Sequence, residues 1–140
     1  IPGFNVTDVE DLEKILEEND VFILQNNLEH LNDRFDVGVT YADYGIAETG
    51  TLVIDSKHHD IRLATMRSNY HVAVIPESKL RDSTEDLIPE FNDILEKDAG
   101  YLAFITGASR TADIERILVT GVHGPLELHI LVMEDIEYES

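Results

Sequence analysis

Six short apolar segments punctuate the chain: Val21 to Gln25, Asp36 to Thr40, Thr51 to Asp55, His71 to Pro76, Tyr101 to Thr106 and Glu127 to Met133. They are rich in Val and Ile, and most run apolar without strict alternation, as in Val21-Phe22-Ile23-Leu24 and Leu102-Ala103-Phe104-Ile105. A strand with one wet face alternates, whereas one covered on both faces does not. These runs therefore predict strands of a buried, mainly parallel sheet.

Helical spacing fills some of the intervals. Thr7 and Glu10 fit a capping box, and Val9, Leu12, Ile15 and Leu16 fall on one face behind it. Leu87, Phe91, Ile94 and Leu95 repeat at i, i+4, i+7 and i+8. Gly100 suits the end of that helix, and Pro89 belongs in its first turns. Strands alternating with helices point to an α/β layer fold. One interval breaks the pattern. Only Tyr41 to Gly50 separates the second and third runs, and a parallel crossover needs about a dozen residues or more. The third strand is then either antiparallel to the second or placed elsewhere.

At 140 residues the chain has the length of one domain, so a single unit over 1–140 is expected, with 1–35 as its helical and first-strand beginning. The chain begins at Ile1 rather than Met, which leaves the true N-terminus open. There is no cysteine, which excludes disulfides, a thiol nucleophile and clusters or zinc held by this chain's own thiolates. A reducing, cytoplasmic setting fits. Ten basic against 29 acidic residues give a formal charge of −19. A field of that sign repels phosphate backbones and anionic lipid, so nucleic-acid binding and membrane docking are poor readings. No apolar run reaches membrane-spanning length.

Chemistry concentrates in three stretches: Ala42 to Thr51, Thr106 to Glu115, and Gly121 to Pro125. The second follows a predicted buried strand, where ligands of open α/β sheets bind. Gly107 permits a sharp turn, and Ser109 or Thr111 can start a helix whose free N–H groups attract anions. Arg110 adds a bidentate fork for a carboxylate or phosphate. The alternative is that Ser109 and Thr111 only cap and that Arg110 pairs with Asp113. Neither the Walker-type nor the dinucleotide-type glycine pattern occurs. Ser109 also lacks the last glycine of a nucleophile elbow.

Together the three stretches resemble the lactate-utilisation (LUD) domain family, and within it the C-type members. That pattern reads A-D-Y-G-I-A-E-T-G-T, then G-P-S-R-T-A-D-I-E, then L-G-V-H-G-P-x-E-L-H. The chain matches every position from Ala42 to Thr51, then Gly107 and Ser109 to Glu115, then Gly121 to Pro125 and Glu127 to His129. It departs at Ala108 for Pro, at Thr120 for Leu, and at Ser68-Asn69-Tyr70 where a proline pair usually precedes His71. Members also tend to carry a longer N-terminal helical region. The resemblance implies a three-layer α/β/α fold with a mainly parallel sheet, similar to the ribose-5-phosphate isomerase, glucosamine-phosphate deaminase and CoA-transferase group. It implies an accessory subunit that works beside iron–sulfur partner proteins in oxidising L-lactate to pyruvate. No cofactor and no metal is assigned to this chain itself.

On this reading Glu48 and His123 are the candidate catalytic residues. Thr49, Gly50, Thr51, Gly107, Ser109, Arg110 and Thr111 form the candidate anion site, for a small carboxylate or phosphate. CoA transferases of the fold group use a Glu in a Glu-x-Gly context as nucleophile, the context of Glu48. The alternative role for Glu48 is to order its loop. Other readings are a stand-alone isomerase or transferase acting on a sugar phosphate or acyl-CoA, and a purely structural module. His123, flanked by glycines, is either a presented acid–base group or a loop histidine bonded to backbone. Asp43 is expected to stabilise a turn. His58-His59-Asp60 is expected to be an exposed turn, and His71 and His129 core or strand-end histidines. The Gly50, Gly107 and His123 loops are expected to line one crevice.

Overall fold

The computed structural model describes residues 6–19, 24, 28–30, 34–97, 102–108 and 124–134. Its helices are α1 (Val6–Glu17), α2 (His59–Met66) and α3 (Ile88–Lys97). Its strands are β1 (Phe35–Tyr41), β2 (Tyr44–Ile46), β3 (Thr51–Asp55), β4 (Ser68–Pro76), β5 (Leu80–Arg81), β6 (Leu102–Thr106) and β7 (Glu127–Met133). Five of the six apolar runs are strands. The sixth, Val21 to Gln25, lies outside the described residues except for Leu24, which is not in a strand. Thr7 sits inside α1 rather than capping it, because the helix already includes Val6. Gly100 lies outside the described residues.

The strands divide into two sheets. One is wholly parallel with order β1-β4-β7, and the other has order β5-β2-β3-β6. The expected parallel sheet is therefore present, but β3 and β6 are not part of it. β3 pairs antiparallel with both β2 and β6. This resolves the short interval after β1: the chain leaves the first sheet and turns back through β2 as a hairpin in the second, so no crossover is needed.

The exchange between sheets takes one residue. The Ala42 amide donates to the Val74 carbonyl of β4 at 2.8 Å, and the next amide, Asp43, donates to the Val53 carbonyl of β3 at 2.9 Å. Ala42 is fully buried at this corner. At Gly45 a Cβ would sit 2.8 Å from both Ile75 Cδ1 and Leu80 Cδ2, so a side chain there would require those two side-chain tips to move.

Packing explains why β3 shows no alternation. Leu52 and Ile54 join Ala42, Ala73 and Ile75 in the core between the sheets, with Ile61, Leu80, Ile105 and Leu128 against it. Val53 points the other way, into a second cluster with Ile46 and Leu87, backed by Tyr44, Phe91 and Leu102. Both faces of β3 are thus dry. β7 differs from the expectation of burial on both faces. It is the edge of its sheet, and Ile130, Leu131, Val132 and Met133 are all exposed. Among the described residues no helix is long and apolar enough to cross a membrane.

Candidate functional site

The first motif stretch, Ala42 to Thr51, does two jobs. Its front half builds the corner between sheets. Asp43 accepts the Asp55 amide at its Oδ2, 2.7 Å away, and so ties the start of the hairpin to its end. Burial pushes the Asp43 carboxyl above the usual aspartate range, and the nearby Asp55 charge adds to this, against the pull of that hydrogen bond and of Lys79. Asp43 is therefore the structural residue expected of it.

The back half is the β2–β3 turn. Gly50 has φ +65° and Gly107, just beyond β6, has φ +71°. Both lie in the left-handed region, which costs other residues roughly 1–2 kcal/mol. Among the described residues, their chain neighbours apart, neither glycine has an atom within 4 Å of where a Cβ would stand, so the demand is conformational. β3 and β6 pair with Thr51 opposite Thr106, which brings the two turns to the same end of the second sheet. There the Thr49, Thr51 and Thr106 hydroxyls form a chain, with Oγ1 to Oγ1 distances of 2.7 and 2.6 Å.

These turns open on a cleft of about 430 Å³ lined by Gly50, Gly107, Ala108 and the stretch from Leu126 to Ile130. Parts of two motif stretches meet there, Gly50 from the first and Gly107 and Ala108 from the second, together with the residues that follow the third stretch. Gly50 and Gly107 share the crevice expected of them. Ser109, Arg110, Thr111 and His123 lie outside the described residues. Glu48 is exposed in the β2–β3 turn, where its amide donates to the Asp82 carbonyl at 3.0 Å. It is not one of the residues that line the cleft.

The histidines separate clearly. His71 is fully buried, with Nε2 2.7 Å from the Thr40 hydroxyl. Its Nδ1 has no hydrogen-bond partner among the described residues, so it is only half satisfied. Burial lowers its pKa to about 4 and keeps the ring neutral. His129, expected to be a core or strand-end histidine, lies within β7 and is exposed, and its Nε2 donates to Glu127 Oε2 at 2.8 Å. His58 and His59 are exposed at the start of α2, while Asp60 accepts the Leu28 amide at 2.9 Å. Thr106 bonds the Thr51 hydroxyl, a contact that the sequence does not announce. Only strand pairing shows that it stands opposite Thr51.

A second hollow, about 210 Å³, is lined by Tyr44, Glu90, Asp93 and Ile94. Glu90 is tied there to Arg81 at 3.3 Å.

With the geometry in place, comparison with known proteins is decisive about kinship. The LUD domain family model matches residues 6–133. This chain belongs to the LUD domain family. It is 37% identical over 108 residues to a lactate utilization protein C of Halalkalibacterium halodurans, covering 74% of this chain and 46% of that protein. It is 32% identical over 127 residues to the protein of the same name in Macrococcus caseolyticus, covering 86% of this chain and 55% of the relative. The chain thus spans about half the length of these LUD relatives. Among solved structures, a DUF162 family protein from Deinococcus radiodurans superposes with a TM-score of 0.56 at 20% identity, over 79% of this chain and 60% of that one. That likeness supports the α/β fold of this LUD domain.

Proposed function

We propose that this LUD domain serves a lactate-utilisation system as a cytoplasmic accessory subunit. It supports oxidation of L-lactate to pyruvate beside iron–sulfur partner proteins and binds a small anionic ligand. The observation that carries the reading is the convergence of the Gly50 and Gly107 turns with the Leu126 to Ile130 stretch on one cleft. Left-handed glycines expose backbone N–H groups without a covering Cβ, which is how a neutral loop receives an oxyanion. Such a site suits a chain with formal charge −19, whose overall field repels anions. The names of the relatives supply the choice of ligand, a small carboxylate. The layered arrangement of the isomerase, deaminase and CoA-transferase group is the wider architecture we assign. Ser109, Arg110 and Thr111 are the anion-binding residues on this reading, with Arg110 as the cation, and Glu48 and His123 are the catalytic candidates.

The test has two arms. Thermal-shift titration with lactate, pyruvate, phosphate and coenzyme A should raise the melting point with a carboxylate, because a ligand that binds the native state stabilises it. Tagged protein recovered from its host should bring iron–sulfur partners with it, and deletion should impair growth on lactate. Growth unchanged and no partner recovered would remove the assignment. Covalent transfer through Glu48 has a separate test. An acyl-CoA adduct on Glu48, seen by mass spectrometry, would replace the accessory role with an enzymatic one.

A further inference from the structure

β7 is the strand with the least cover. Among the described residues it pairs with β4 alone, so its other edge presents unpaired backbone N–H and C=O groups. Its side chains are open on both faces, Ile130 and Val132 on one, Leu131 and Met133 on the other. Parallel sheets ordinarily bury both faces. Five consecutive residues, Leu126 to Ile130, line the cleft, as a strand does when it presents its edge. The common protections of an edge are missing from Glu127 to Met133. The strand has no proline and no lysine, and its one acidic residue, Glu127, is already bonded to His129 at 2.8 Å.

We propose that β7 is a docking edge for a second copy of this chain, paired antiparallel about a two-fold axis at Ile130. The strand selects this occupant because it complements its own reverse. Only a register centred on Ile130 pairs β7 along its whole length. That register sets Glu127 against Met133, Leu128 against Val132 and His129 against Leu131. Glu127 then never meets its own copy, and Leu128, Ile130 and Val132 gather on one face. An isologous contact uses the same patch on both copies, so the assembly closes at two chains. Ile130 to Met133 of the second copy run beside Glu127 to Ile130, so the partner walls the cleft that these residues line. The inference stands apart from which ligand the cleft takes. A formal charge of −19 on each copy opposes the contact at long range, so salt should strengthen it.

Sedimentation over a concentration series should show a monomer–dimer equilibrium that shifts toward dimer as salt rises. Ile130→Lys sets two ammonium groups together on the axis and should leave monomer; the site is exposed, so the variant folds. Register has its own test, which the absence of native cysteine makes clean. Residues opposite each other in an antiparallel pair have Cα atoms about 4.5–5.5 Å apart, within disulfide reach. Ile130→Cys should therefore link to itself on oxidation, well above the exposed control Glu77→Cys. Two copies of Glu127→Cys would stand about 20 Å apart and should not link, whereas Glu127→Cys mixed with Met133→Cys should. A single-chain mass at every salt and concentration, with Ile130→Cys no better linked than the control, would overturn the proposal and leave this edge to an extended segment of a different protein. Glu127→Cys linking to itself as readily as to Met133→Cys would overturn it as well.

Discussion

Thr40 and His71 are joined across two parallel strands, hydroxyl to imidazole Nε2, at 2.7 Å in a fully dry environment. Gly38 is the residue directly opposite His71, and Thr40 is its diagonal neighbour on the same face. The pair makes stability depend on pH. The buried ring has its pKa lowered to about 4 against 6.5 when free. Between those values the unfolded chain binds the extra proton, so stability is full above about pH 6.5 and falls as pH drops toward 4. The full loss is on the order of 3 kcal/mol for a shift of this size. Urea unfolding at pH 7 and pH 5 checks it, with His71→Gln as the non-titrating reference. Subtracting the variant removes the contribution of the carboxylates. A wild type no more pH-sensitive than His71→Gln would show that the ring is not held neutral by the fold.

Gly38 is where α2 crosses β1. A Cβ there would collide with the Ala64 carbonyl oxygen and stand 2.9 Å from Ser68 Cβ, with Ser68 itself locked to the Ala64 carbonyl at 2.8 Å. Because the obstacle is backbone, the helix must shift as a body. Gly38→Ala is expected to destabilise by about 1–3 kcal/mol. Denaturation midpoints read this directly, and an unchanged midpoint would mean that α2 rides farther from β1.

At Gly50 and Gly107 the cost has a different origin. Space is free and only φ is at issue. Asn tolerates the left-handed region better than a β-branched residue does. Gly50→Asn and Gly107→Asn should therefore lose less stability than the Val variants, which are expected to lose roughly 1–2 kcal/mol. Equal losses for Asn and Val would point to contact instead of conformation.

Asp43 separates a hydrogen bond from a charge. Asn keeps an oxygen for the Asp55 amide and removes a partly buried charge whose ionised form the fold disfavours. Asp43→Asn should leave stability at pH 7 unchanged or slightly raised. Asp43→Ala strands the amide and should cost about 1–3 kcal/mol. Two variants of equal stability would show that the amide bond contributes nothing.

Arg110 carries the cationic part of the proposed site. A planar guanidinium holds a carboxylate through two parallel bonds that Lys does not reproduce. Arg110→Lys should fold and weaken anion binding by about 1–3 kcal/mol in calorimetric titration. Unchanged affinity would make Arg110 an ion-pair residue and remove it from the site.

The two histidines show where sequence stops. His71 stands in Tyr70-His71-Val72 and His129 in Leu128-His129-Ile130, each flanked by large apolar residues. Locally they look alike, and both read as core or strand-end residues. Their strands are neighbours, but the register pairs His71 with Leu128 and Val72 with His129. Side chains alternate along a strand, so this offset of one residue sends the two rings to opposite faces. β4 lies in the middle of its sheet and β7 at the edge, so His71 is dry and His129 wet.

Sequence by itself marked five of the seven strands, because Val- and Ile-rich apolar runs suit a buried sheet, but not the two- and three-residue strands β5 and β2. It also marked the two glycines whose turns shape the cleft. The match of three motifs also pointed to the family. Tertiary structure alone decided that β3 leaves the parallel sheet, that Thr106 meets Thr51, and that the Leu126 to Ile130 stretch lines the cleft with Gly50 and Gly107. The reason is physical. Burial preference and backbone freedom act residue by residue and are written in the residue types. Strand partners are fixed by contacts between segments about 50 residues apart, such as Thr51 and Thr106, and no local pattern records them.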